Sequence, residues 1–250
     1  MFKLPSKKIG FGKTESEKRG FPFYEVYSDG IYVCNNNGVM TARKKIVNYE
    51  EDFLVAGEEG KEGFTLEIPK VPFTLWKMIW SFYRDVNEWY GTEATVLVYW
   101  DIDQRLFSIP EELKEEYGDG IYFEGDYVLY VPRQQNYPAL TEYHGDEMRK
   151  WLGENMSIIL DTHSHNSMSA FFSGTDDENE KDFQFYAVFG LIGKENDFVM
   201  RYRYKGDWYG LDLEEVFSKG EITEGNISDS TYPIRWFNNC IFQIEKVEVW

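Results

Sequence analysis

Apolar residues along this chain keep two rhythms. Between Phe73 and Tyr90 they fall at Leu75, Trp76, Ile79, Phe82, Tyr83, Val86, Trp89 and Tyr90. Steps of three and four place them on one face of a helix, and Gly91 supplies its stop. Elsewhere the runs are short and rich in β-branched and aromatic residues. EATVLVYW, RLFSIP and YVLYVP read as strands, with an acidic loop between the last two. GDEMRKWLGEN reads as a short helix closing near Gly153. MSIILDTHSH reads as a buried strand, because Ile158, Ile159 and Leu160 run together and polar residues begin where they end. FQFYAVFGLIGK and DFVMRYRYKG pair as a hairpin, and CIFQIEKVEVW alternates again toward Trp250.

Upstream of Pro72 the pattern is β only. FYEVYSDGIYVCNNNGVMTARKKI carries two or three strands, with turns at SDG and NNNG. Residues 1–20 are basic and weakly patterned, as expected of a mobile or loosely docked arm. The polar EEGKEG marks a change of composition. The expected division is an arm and β-rich region at 1–71, a mixed domain at 72–220, and an extension at 221–250 that packs on the core. The fold class is α/β or α+β, with chemistry at a strand end.

Composition narrows the function. A chain of 250 residues that is 42% hydrophobic and 18% aromatic can bury a core without staples. Its net charge of −18 opposes a nucleic-acid partner, which would need a basic face. No apolar run approaches the roughly 18 residues of a membrane span, so no membrane partner is expected. MFKLPSKKIGFGKTESEKRG lacks the apolar centre of a secretory signal. With two cysteines and no CxxC pair, a reducing, cytoplasmic setting is the expectation. Cys34 and Cys240 lie in apolar stretches and read as packing, not as ligands.

Histidine is scarce, yet two of the three stand one residue apart, at His163 and His165. Side chains at i and i+2 of a strand project together, so the two imidazoles can share one ion. Imidazole suits zinc, and three protein ligands with one open position make a catalytic centre. Asp176 offers the third. Ser173-Gly-Thr-Asp176 reads as a helix start, with Ser173 as the cap and Asp176 at the third helical position, facing back toward the strand. Either half alone has a plain explanation: a histidine pair on a strand, a Ser-x-x-Asp cap. Asp177 competes with Asp176. Asp161 is a supporting carboxylate or a strand-end acid, His144 reads as exposed, and the acids at 111–116 and 177–180 read as solvated runs.

Together, His163-Ser-His165, the loop Asn166 to Phe172, then Ser173-Gly-Thr-Asp176 resemble the signature of the JAMM metalloproteases, the catalytic class of MPN domains. VPRQ, DTHSH and AFFSGTDD look most like the prokaryotic JAB-domain branch. The resemblance covers about residues 73–215 and makes 72–220 a JAMM metalloprotease domain. It implies an MPN-like (cytidine-deaminase-like) central mixed sheet with flanking helices, and Zn2+ held by His163, His165 and Asp176. In such a site a glutamate opens the strand after the first long helix. Here Glu93 takes that place as proton shuttle, with Glu88 the rival, and Ser173 is the oxyanion donor. The implied activity is hydrolysis of an amide in a protein or peptide, of the kind found at the tail of ubiquitin-like or sulfur-carrier proteins. The chain departs from many relatives in having no proline in the seven-residue loop and no long insertions. MPN domains also serve as non-catalytic scaffolds, which is the competing expectation. A nuclease or phosphoesterase fits neither the charge nor the motif.

Overall fold

The computed structural model describes residues 8–9, 22–49, 59–143, 145–192, 197–220 and 231–243. The chain divides into two compact units: 1–69 with 204–209, and 70–203 with 210–250. The architecture is mixed α and β, with three sheets and few helices among the described residues.

The first sheet runs in chain order through β1 (Lys8–Ile9), β2 (Phe23–Tyr27), β3 (Gly30–Asn36), β4 (Met40–Asn48) and β5 (Gly63–Leu66). Every pairing in it is antiparallel. Two residues of the expected arm thus form a strand, and the remainder of 1–20 lies outside the described residues. The turns are where SDG and NNNG set them. Gly30 is required because a Cβ there would collide with the Val47 backbone.

In the second unit, α1 (Phe73–Tyr90) ends at Gly91, whose φ of 64° is left-handed and favours glycine. Next come β6 (Thr95–Trp100), α2 (Glu111–Tyr117), β7 (Ile121–Glu124) and β8 (Tyr127–Tyr130). Two short strands follow, β9 (Gln134–Tyr137) and β10 (Leu140–Glu142), then α3 (Glu147–Asn155) and β11 (Ser157–Ser164). The last elements are α4 (Gly174–Asn179), β12 (Phe185–Gly190), β13 (Asp197–Tyr204), α5 (Leu213–Val216) and β15 (Cys240–Phe242), while β14 (Asp207–Leu211) begins among the residues 204–209 that belong to the first unit.

Seven of the strands make one mixed sheet in the order β14-β13-β12-β11-β6-β8-β7. β11 lies inside it, parallel to β12 and antiparallel to β6. On one face, the apolar stripe of α1 meets the sheet through Trp76, Trp80 and Tyr83, whose rings lie 5.9, 5.5 and 5.2 Å from Phe189. The Tyr83 hydroxyl also donates to the Thr162 carbonyl at 3.0 Å. Leu97, Tyr99, Val128 and Tyr130 of the sheet form a second core with Tyr117 of α2 and Met148 and Leu152 of α3. Such buried aliphatic and aromatic side chains contribute about 1.5–3 kcal/mol each.

Several expectations need correction. RLFSIP is not a strand: Arg105–Ser108 is a 3-10 turn. The Asp101 carboxylate accepts the Arg105 and Leu106 amides at 2.6 and 2.7 Å, curling the chain before it can extend. The acidic loop is instead α2, a 3-10 turn at Gly118–Gly120 and β7 in succession, and the glutamates of α2 face solvent while Tyr117 is buried. Glu111 and Glu112 sit in its first turn, where negative charge suits the helix dipole. α3 runs past Gly153 to Asn155. The small sheet β10-β9-β15 was not anticipated, because its strands are only three or four residues long. The alternating C-terminal stretch is a strand only over Cys240–Phe242, and 244–250 lie outside the described residues. No described helix is long and apolar enough to cross a membrane.

Candidate metal centre

The site begins with the register of β11. Asp161 pairs with Leu97 of β6, and His163 with Thr95, while Thr162 pairs with Val96. Alternation therefore turns Thr162 toward α1 and puts Asp161 and His163 on the opposite face. His165 lies one residue past the strand, but its amide still donates to the Phe189 carbonyl at 2.7 Å. The ladder thus reaches far enough to aim both imidazoles the same way. Asn166 then takes a φ of 49° and turns the chain out of the sheet.

The returning loop is tied down. The Ala170 amide donates to Asp197 Oδ2 at 2.6 Å, and Asn166 Nδ2 donates to the Pro138 carbonyl at 2.7 Å. The loop passes so close to β12 that a Cβ at Gly190 would strike the backbone of Ser169 and Ala170. Phe171 sets its ring against that of His165, at 4.6 Å and nearly perpendicular.

α4 brings in the carboxylate. Ser173 is its N-cap and Asp176 its third residue, and they close a capping box. Ser173 Oγ accepts the Asp176 amide at 3.2 Å, and Asp176 Oδ2 accepts from the Ser173 amide at 2.6 Å. The Ser173 hydroxyl also donates to Oδ2, at 2.7 Å. Both hydrogen bonds fall on Oδ2. Oδ1 is turned toward His163 Nε2, 3.6 Å away. The hydroxyl hydrogen is thus committed to Asp176, and an oxyanion role would require that bond to break.

His163 Nε2 and His165 Nε2 are 3.2 Å apart, and donor atoms of His163, His165 and Asp176 all lie within 4.8 Å of one another. Zinc ligands at about 2.0–2.2 Å in tetrahedral directions are about 3.3–3.6 Å apart. The two imidazoles therefore stand at nearly the spacing of two ligands on one ion. Without a cation, the same gap holds one imidazole–imidazole hydrogen bond. The donor types fit as well. Burial lowers the pKa of both histidines, against the pull of Asp176, so both are neutral near pH 7 with a lone pair to give. His165 is 5% exposed, whereas the side chains of His163 and Asp176 keep 20% and 17% of their surface. The site is desolvated yet reachable.

Buried carboxyl groups gather around it. Glu93 is 4% exposed, and burial, followed by the Asp176 charge, pushes its pKa up to about 8. Asp161 accepts from the Tyr143 hydroxyl at 3.1 Å, and burial raises it to about 6 despite that bond. Glu180 is raised to about 8, again mainly by burial and against the pull of Arg201. Asp176 contributes to all three shifts. A cation among these groups would relieve them together.

Glu93 stands two residues before β6 and does not itself open the strand. Its amide donates to the Tyr137 carbonyl at 2.8 Å, and its carbonyl accepts from Asn136 Nδ2 at 2.7 Å. The unanticipated β9 therefore fixes it. Glu93 is not among the three clustered donors. Glu88 is exposed on α1. Cys34 and Cys240 are free thiols outside the cluster, and His144 lies outside the described residues.

The run 177–180 is not simply solvated. Glu180 is 8% exposed, and both it and Asp177 pair with Arg201 of β13. Sequence reasoning missed Arg201. The only signal was an arginine inside the apolar strand DFVMRYRY, where a buried cation needs a partner. Compared with known proteins, the chain matches no family model and no curated protein.

Proposed function

We propose that the chain is a zinc-dependent peptidase or isopeptidase of the JAMM type, with an MPN-like arrangement of its second unit. The carrying observation is the cluster of two neutral imidazoles and one oriented carboxylate at the end of an interior strand. A zinc ion held by His163, His165 and Asp176 would supply Lewis acidity and leave a fourth position for chemistry.

The chain's own residues supply the rest. Glu93 is a carboxyl group kept out of water, its proton affinity raised by burial and by Asp176, and a cation at the cluster would lower that affinity and free it to act as a base. That suits a group that takes a proton from an attacking water and returns it to a leaving amine. Its absence from the donor cluster supports that division of labour. Ser173 aligns Asp176 through two bonds to Oδ2, leaving Oδ1 for the ion. Phe171 packs its ring against that of His165. A scaffold has no use for a buried base beside a complete donor set, so the hydrolase reading is preferred.

The test uses the full chain loaded with zinc. It is incubated with linear peptides and with lysine-linked isopeptides, and new amino groups are located by mass spectrometry. Products are expected from the wild type, none after chelation, and about 10²–10⁴-fold slower from Glu93→Gln. A zinc-loaded wild type that cleaves neither class would contradict the reading.

A further inference from the structure

We propose that Arg201 is a positioning residue that sets where Asp176 meets the two imidazoles. This rests on the metal-site reading above and goes beyond it, to a residue outside the three clustered donors.

The sheet places Arg201 for this task. Asp161 of β11 pairs with Tyr186 of β12, and Tyr186 pairs with Arg201 of β13. Residues in register across neighbouring strands share a face, so Arg201 rises from the same side of the sheet as Asp161 and His163. Its guanidinium then reaches the segment that carries Asp176, at three points. The plane lies over the Phe172 ring at 3.7 Å, just before the Ser173 cap. Nη1 meets Asp177 Oδ1 at 2.7 Å, immediately after Asp176. Nε and Nη2 donate to Glu180 Oε2 at 2.9 and 2.7 Å, one turn further on. These contacts bracket Asp176 on both sides.

A six-residue helix needs such support. Helices this short are unstable in isolation, because nucleation fixes several residues for few hydrogen bonds. The capping box secures only the first turn. Arg201 is 9% exposed and Glu180 8%, so their contact is screened little by solvent. Arginine is required in particular. Its rigid fork serves two carboxylates and a ring face at once, which a lysine ammonium cannot do. One sheet face therefore carries the histidines directly and fixes the aspartate through Arg201.

Zinc affinity is measured by competition with a chelator in the full-length wild type, Arg201→Lys, Arg201→Met and the double variant Arg201→Met/Glu180→Gln. Unfolding of each metal-free protein is followed in parallel. The visible spectrum of the cobalt-substituted proteins reports ligand geometry. Arg201→Met should bind zinc roughly 10–100-fold more weakly. Arg201→Lys should recover part of that loss. The double variant removes the stranded buried carboxylate, so it should regain folding but not affinity, and its cobalt spectrum should differ from wild type. Wild-type affinity and spectrum in folded Arg201→Met would overturn the proposal. So would a double variant that regains folding and affinity together, which would make Arg201 important only to the fold. A wild type that binds no zinc would remove the metal-site reading, and this inference with it.

Discussion

The two halves of the donor set are held in opposite ways. His163 rides on an interior strand with ladder partners on both sides, and His165, one residue past it, is tied by its amide to the Phe189 carbonyl. Asp176 rides on one and a half turns of helix, fixed by the side chains of Ser173 and Arg201 around it. Backbone pairing sets the imidazoles, and side-chain chemistry sets the carboxylate. Substitutions should therefore act differently on the two halves. Changes at the histidines should remove the metal and spare the fold. Changes around α4 should weaken the metal by degrees and disturb local structure with it.

The largest effect is expected at the strand. His163→Ala or His165→Ala should abolish zinc binding, measured on protein dialysed against excess metal. The thermal unfolding of the metal-free protein should stay close to wild type, because the β11 ladder is backbone only. A large drop in that unfolding temperature would mean that the imidazoles hold the sheet and not a metal.

Next is Glu93→Gln, which should keep zinc and lower turnover by about 10²–10⁴-fold, as for loss of a general base. Zinc loss in this variant would make Glu93 a ligand. Full activity would move the proton transfer to solvent.

Ser173→Ala tests the helix side. Loss of the cap should cost about 1 kcal/mol in the metal-free protein, by chemical denaturation. Zinc affinity should fall roughly tenfold as Asp176 loosens. At saturating zinc, turnover should largely return, because the hydroxyl hydrogen is occupied with Asp176 Oδ2. A turnover deficit of about 10²–10³-fold that persists at saturating zinc would restore Ser173 as an oxyanion donor.

The last effect, confined to the metal-free fold, is a pH dependence. The folded pKa of Glu93 is raised from 4.5 to about 8, so the folded state binds more protons between those values. Its contribution is fully present below pH 4.5 and is lost as pH rises through 8. Relative to wild type, Glu93→Gln should therefore gain stability as pH rises, by on the order of a few kcal/mol across that window. A constant difference between the two proteins, from denaturation at several pH values, would mean that Glu93 is not desolvated in solution.

The same contrast explains what could be read from the sequence. The histidine pair needed only the two-residue period of a strand and an apolar run to mark that strand as buried. The Ser173–Asp176 cap was equally local. α1 was readable because eighteen residues of one periodicity leave little choice. Arg201 could not be found this way. It stands 25 positions beyond Asp176, and its contacts exist only once β13 lies two strands from β11. Glu180 looked solvated for the same reason, since nothing local reveals a partner from another strand. The support of Glu93 by Asn136 and Tyr137 was hidden in a strand too short to show a period. RLFSIP failed differently. Its residues favour a strand, but the Asp101 carboxylate captured two amides and bent the chain.

The central claim is that His163, His165 and Asp176 form one metal site. The most direct measurement is the zinc content of the purified full-length chain, by elemental analysis after loading and removal of free metal. One equivalent per chain is expected in the wild type, and less than a tenth of an equivalent in His163→Ala. A wild type that holds less than a tenth of an equivalent, or a His163→Ala variant that still holds one, would contradict the account.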